Sequence, residues 1–238
     1  MDPPDDVQAV LWEMTKDREA RVRVAAVAEL RLNNHVAEYK RFVPLLIDGL
    51  IDPDVGVRQW AADNLCGLKQ WQRSGGKLTS PDGIGDEAVP ALRDALRDKD
   101  AHIRLSAAVA LCEMARDFDA AVPVALAELK SPETMTRYSA LGAFVPFERS
   151  NLDWLTDEEK GRRQRLLPQI VSALWELLAR PEKEGLVRGR GRGILKDIGS
   201  DAVGLVPKLK DALGGPEEQV RADAKELLEA IDVPAPMK

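Results

Sequence analysis

Eight basic residues crowd two short stretches of the chain: Lys160, Arg162, Arg163 and Arg165, then Arg188, Arg190, Arg192 and Lys196. A guanidinium group offers a planar fork of donors that matches a phosphate or a carboxylate. In the second stretch Gly189, Gly191 and Gly193 alternate with the arginines, and glycine near a helix start lets a ligand approach the backbone N–H groups. Arg188, Arg190, Arg192 and Lys196 are therefore candidates for holding a phosphate-bearing ligand, nucleic acid or an acidic partner. The plainer reading is a solvated helix weakened by its glycines, each costing about 1 kcal/mol against alanine. The run is not a nucleotide phosphate loop, because no strand is expected before it and a Gly-Lys-Ser/Thr ending is missing.

Other chemistry is thinly supplied. His35 and His102 are the only imidazoles, and both are expected on solvent-exposed turns. Cys-x-x-Cys, His-Glu-x-x-His and Gly-x-Ser-x-Gly are absent from the sequence, so metal-dependent hydrolysis and the common acyl transfers lack their residues. No catalytic residue, metal or cofactor is expected. Cys66 and Cys112 stand eight residues after Arg58 and Arg104. They occupy equivalent places in successive copies of a repeat, roughly a helix diameter apart, whereas a disulfide needs a Cα separation of about 4.4–6.8 Å. Both read as buried free thiols of a reducing compartment.

The elements that must position these residues are written as a repeat. Arg23, Arg58, Arg104, Arg137, Arg188 and Arg221 each follow an apolar or β-branched residue: Val22, Val57, Ile103, Thr136, Val187 and Val220. Three residues on comes a small one (Ala26, Ala61, Ala107, Ala140, Gly191, Ala224), and seven on a large apolar one (Leu30, Leu65, Leu111, Phe144, Leu195, Leu228). The tenth-residue column continues as Leu68, Met114, Phe147, Ile198 and Ile231 and fails only at Asn33. At 100° per residue these columns fall within about 80° of one another, which makes one buried stripe on a helix. Fourteen residues before four of the arginines stand Pro44, Pro90, Pro123 and Pro207. Proline in a first turn costs no hydrogen bond and presets φ, so each is expected to open a first helix ending near Leu50, Leu96, Leu129 or Leu213. The turns that follow, such as Asp52-Pro53-Asp54 and Asp98-Lys99-Asp100, hold residues that stop one helix and cap the next.

This pattern of proline-opened helix, acidic turn, Val-Arg or Ile-Arg and Ala/Leu spacing resembles the HEAT repeats, in particular bacterial phycobilisome-lyase HEAT-like repeats. The resemblance implies an all-α fold, an α-solenoid of about six helix-turn-helix repeats: roughly 5–34, 42–69, 88–116, 121–148, 166–199 and 204–232, in a single domain, with insertions at 70–87 and 149–165. It also implies that an Asp six residues before the arginine accepts its hydrogen bonds along the stack. Asp17, Asp52 and Asp98 match, whereas Ser131, Glu182 and Gly215 do not, so the ladder should be strongest in the N-terminal half. In such stacks the second helices line the concave surface, which would make Leu105, Val109 and Tyr138, with Trp60 alongside, an apolar binding patch. The alternative is packing against neighbouring repeats. Within the insertions, Thr156 and Glu159 have the form of a capping box opening a short extra helix, and Trp71 and Trp154 either anchor the loops or await a partner.

Composition bounds the rest. With 45% hydrophobic residues in 238 the chain can bury a core, and at 5% aromatic that core is built mainly from Ala and Leu. A net charge of −6 draws the chain to neither nucleic acid nor anionic membrane as a whole. No window approaches the roughly 18 apolar residues of a membrane span, and the acidic start does not resemble a signal peptide. The expectation is a cytoplasmic, monomeric, non-catalytic scaffold that binds another protein or peptide. Nucleic-acid or phosphate binding through repeat five is the alternative, and a bilin-lyase-like role follows from the family label alone.

Overall fold

The computed structural model describes residues 5–32, 39–66, 86–114, 117–147, 155–180 and 185–231. Among them the regular structure is entirely helical, and no helix is long and apolar enough to cross a membrane. The chain forms two compact units, Met1–Arg116 and Asp117–Lys238.

In the first unit α1 (Asp5–Met14) packs on α2 (Ala20–Leu32), α3 (Tyr39–Leu50) on α4 (Val55–Cys66), and α5 (Val89–Ala95) on α6 (Ala101–Glu113). The second helices α2, α4 and α6 stand side by side, as do α3 and α5. Capping is done by the acidic turns. Asp54 Oδ1 accepts from the N–H groups of Gly56 and Val57 at 2.8 and 3.2 Å, and Asp100 Oδ1 accepts from those of His102 and Ile103 at 3.0 and 3.2 Å. Most of the predicted stripe is core: Val57, Ala61, Leu65, Ile103, Ala107 and Leu111 are all buried, while Val22 and Met114 are half-buried. Between α3 and α4 the backbones come close, since a Cβ on Gly49 would lie 2.8 Å from that of Ala61. Alanine could not stand there without parting the pair.

The second unit continues the pairing. Helix α7 (Phe118–Glu128) packs on α8 (Thr134–Ala140), which tightens into a 3-10 segment at Leu141–Phe147. Gly142 weakens that stretch, and Pro146 has no N–H to donate to the preceding turn. Helix α9 (Asp157–Leu178) pairs with α10 (Gly185–Ile198), then a 3-10 segment (Gly199–Leu205) leads to α11 (Val206–Ala212) and α12 (Glu218–Ile231). Gly199, at φ 58°, takes the left-handed position that ends α10. Ala140, Phe144, Phe147, Val187, Leu195, Ile198, Ala224 and Ile231 of the stripe are buried, while Thr136, Val220 and Leu228 are half-buried.

Three expectations need correction. Pro44 and Pro123 do not open their helices; α3 starts at Tyr39 and α7 at Phe118. For α7 the cause is Asp117, whose Oδ1 accepts from the N–H of Ala120 at 3.2 Å and sets the start ahead of the proline. Pro90 and Pro207 do lie in the first turn of α5 and α11. The capping box at Thr156 and Glu159 forms, but it opens one continuous helix running through Pro168 to Leu178, not a short separate one. Most of the 70–87 insertion, with Trp71, lies outside the described residues, as do His35 and Trp154.

The arginine column joins the turns. Arg23, Arg58, Arg104, Arg137 and Arg221 each donate from Nη1 to the carbonyl oxygens six and five residues back, at 2.7–3.2 Å. In the first unit the other edge of the guanidinium reaches the next copy. Arg23 donates to Asp52 at 2.9 and 2.7 Å, and Arg58 to Asp98 at 2.8 and 3.5 Å. The Asp that the resemblance implied is thus the acceptor for the preceding arginine.

Burial pushes the Asp98 carboxyl upward, but the N–H of Asp100, the hydrogen bond and charge of Arg58, and Lys99 outweigh it and hold the group below its ordinary value. A carboxyl depressed in the folded state adds stability above the unfolded value, about 3.9, and loses it as pH falls through the folded value. Urea midpoints of wild type and Asp98→Asn should therefore differ at pH 7, the variant lower, and converge below about pH 4. A gap that persists undiminished into acid contradicts this assignment.

Candidate binding surface on the second helices

Along α4 the columns one and five after the arginine face the next second helix. Gln59 Nε2 donates to Asp100 Oδ1 at 3.3 Å. Asp63 Oδ1 accepts from Ser106 Oγ at 2.7 Å and lies 2.8 Å from His102 Nε2, whose ring is about half exposed at 48%. His102 is therefore in the first turn of α6, paired with an acid, and not on a free turn. Histidine and serine both address the carboxylate and not each other. The carboxylate instead ties two helices together. Burial, followed by the charges of Glu113 and Asp63, pushes the Cys66 thiol up to about 12, so it is not a nucleophile at neutral pH. Cys66 and Cys112 are free thiols, the latter buried.

The apolar patch expected here does not form as drawn. Leu105 is 2% exposed. Helix α6 is buried around most of its circumference, with Ile103, Leu105, Ser106, Ala107, Ala108, Ala110, Leu111 and Cys112 all inside. A stacked helix has neighbours on more than one side, so its +1 position need not face solvent. Val109 and Trp60 are half-buried. Trp60 lines a cleft of about 160 Å³ with Val24, Val27, Leu45 and the Arg23–Asp52 pair.

The basic stretch of the second unit is largely neutralised. Arg188, only 7% exposed, has Nη2 2.6 Å from Asp223 Oδ2, and Arg192 Nη1 donates to Asp223 Oδ1 at 2.9 Å. Asp223 itself is fully buried. Glu226 pairs with Arg192 at 3.3 Å and Lys196 at 2.7 Å, and its carboxyl is lowered first by the Lys196 hydrogen bond. Upstream, Lys160 pairs with Asp157 and Arg162 with Glu158. Arg163, 2% exposed, donates to Phe147 O and, at 3.0 Å, to Asp201. Arg165 and Arg190 have no acid partner among the described residues. Arg190 lies over the Tyr138 ring, its guanidinium carbon 4.7 Å from the centroid. Of the predicted candidates the structure thus joins Tyr138 to Arg190, sets Arg188, Arg192 and Lys196 against α12, and buries Leu105. The acids that sequence reasoning missed, Asp223 and Glu226, stand two and five residues after Arg221. Comparing the columns of adjacent copies for opposite charge would have found them. Among the described residues no three His, Cys, Asp or Glu side chains group as for a metal ion.

A family model for HEAT repeats matches residues 43–144. Among solved structures, the crystal structure of an engineered protein shares 21% identity over 96% of this chain and 97% of its own, with a TM-score of 0.62. A second engineered protein shares 20% over 96% and 99%, at 0.63. The complex of CpcE and CpcF of phycocyanin lyase from Nostoc sp. PCC7120 aligns at 21% identity over 80% of this chain and 65% of that one, with a TM-score of 0.44. No curated protein matches the sequence. The likeness to the engineered proteins fixes the fold class: all-α, an α-solenoid of helical repeats.

Neutralising Asp223 leaves two guanidinium groups facing each other, one of them buried. Asp223→Asn should cost about 3–5 kcal/mol in chemical denaturation. Glu226→Gln, on a more exposed carboxylate, should cost below about 1 kcal/mol. Equal effects would contradict the assignment of the buried clamp to Asp223.

Proposed function

From HEAT repeats in residues 43–144 and an α-solenoid fold, we propose that this chain is a non-catalytic scaffold that binds another protein or peptide on the surface of its second helices. The observation that carries the reading is the repeated corner. In five copies the arginine fixes the turn between two helices through the same pair of carbonyls, so within each unit the second helices form a pre-organised surface that loses little entropy on binding. Large apolar side chains stay exposed near the starts of several second helices: Val55 at 43%, Met135 at 62% and Leu186 at 56%. The two free thiols fit a reducing cytoplasm, and the scaffold acts as a monomer. Nucleic-acid binding has less support, because six of the eight clustered cations already hold an acid of the same chain, and duplex or single-strand affinity grows with the number of phosphates neutralised.

The test is capture from the source cytoplasm, followed by reconstitution of the captured protein, purified, with this chain. A stoichiometric complex that survives nuclease and slows amide exchange in the second helices is the expected result. Capture that vanishes on nuclease treatment, or protection confined to the first helices, contradicts the proposal.

A further inference from the structure

One cation of the Gly-Arg-Gly-Arg-Gly run remains uncommitted. Arg190 makes no hydrogen bond or ion pair among the described residues, although its neighbours Arg188 and Arg192 are both held by Asp223. It is nevertheless placed, because its guanidinium lies over the Tyr138 ring. Stacking on an aromatic face restricts the plane of the group and leaves its edge donors open, which lowers the ordering cost of binding an oxyanion. The Tyr138 hydroxyl is likewise without a partner among the described residues. A Cβ built on Gly189 or Gly193 would meet nothing within 4 Å, so the helix is open on both sides of Arg190 in sequence.

Apolar groups flank it. Met135 is one turn before Tyr138 on α8 and Leu186 one turn before Arg190 on α10, each on nearly the same face as the residue that follows it. Both are mostly exposed. The surface therefore pairs one oriented cation with two aliphatic side chains. A nucleic acid strand would ask for a row of cations, and Arg192 and Lys196 on the adjoining face are already paired with Asp223 and Glu226.

We propose that Tyr138 and Arg190, with Met135 and Leu186, form a docking surface for a short acidic segment of a partner protein, in which an Asp or Glu carboxylate seats on the Arg190 guanidinium and neighbouring aliphatic side chains cover Met135 and Leu186. This rests on the scaffold reading and names the partner's chemistry. A fork-to-carboxylate contact fixes direction as well as strength, so the segment binds in one register.

The experiment is selection of a random-peptide display library on the full chain. Fluorescence anisotropy of the enriched peptides then compares wild type with Arg190→Gln and Arg190→Glu, each confirmed folded by circular dichroism. Enriched peptides should carry Asp or Glu beside aliphatic residues and bind Arg190→Gln about tenfold or more weakly. Selection on Arg190→Glu should instead enrich Lys or Arg. Peptides without acids, or peptides that bind Arg190→Gln undiminished, overturn this surface and leave the scaffold reading standing. The absence of any enriched peptide overturns both. Tight binding of a labelled single-stranded oligonucleotide that Arg190→Gln abolishes overturns the peptide in favour of nucleic acid.

Discussion

The fold depends on one side chain doing the same thing in successive copies. A helix ends with carbonyl oxygens that have no partner within the helix, and a tight turn adds others. In this chain those orphan acceptors, six and five residues before the arginine, receive Nη1 of Arg23, Arg58, Arg104, Arg137 and Arg221. The guanidinium thereby links the end of a first helix to the start of a second and fixes the corner between them. With the corner fixed, the stripe one before, three, seven and ten after the arginine faces inward, and small residues at the third position let the helices approach. Arg188 is the exception. Its Nη1 reaches Arg180 O at 3.3 Å and its Nη2 lies against Asp223.

Copies are joined by polar groups in two ways. In the first unit the arginine of one copy donates to the turn Asp of the next, partly shielded from water, while Gln59 and Asp63 hold α6 through Asp100, His102 and Ser106. In the second unit the buried carboxylate of Asp223 on α12 gathers two arginines of α10, the preceding second helix. Neither arrangement adds much net stability over a well-packed apolar contact, because desolvation offsets attraction. Each does penalise misplacement heavily, since a slipped helix leaves a charge unpaired. The register between neighbouring second helices follows from that penalty.

Helix pairing and the core stripe were legible in the sequence because they rest on periodicity and on residues whose local chemistry is unambiguous: Val57, Ala61 and Leu65 belong on one face whatever surrounds them. The capping box at Thr156 was legible for the same reason. What was not legible depends on neighbours. Leu105 reads as outward on its own helix and is buried because α6 has more than one packing side. Arg188, Arg192 and Lys196 read as a cationic patch until Asp223 and Glu226, some thirty residues later, are brought against them by stacking. Pro44 and Pro123 read as helix openers, yet α3 and α7 begin before them, and for α7 the capping is decided by Asp117. The contact of Tyr138 with Arg190 joins an apolar helix face to a basic run that lie some fifty residues apart in the sequence.

In the first unit the arginine ladder between copies sets the stack. Its most direct test is a double-mutant cycle on Arg58 and Asp98, using Arg58→Met and Asp98→Ala in reversible urea unfolding at pH 7. A coupling energy of about 1–3 kcal/mol, present at neutral pH, is what the account requires. A coupling below about 0.5 kcal/mol, with the two losses simply adding, would show that packing alone aligns the copies and that the ladder only decorates it.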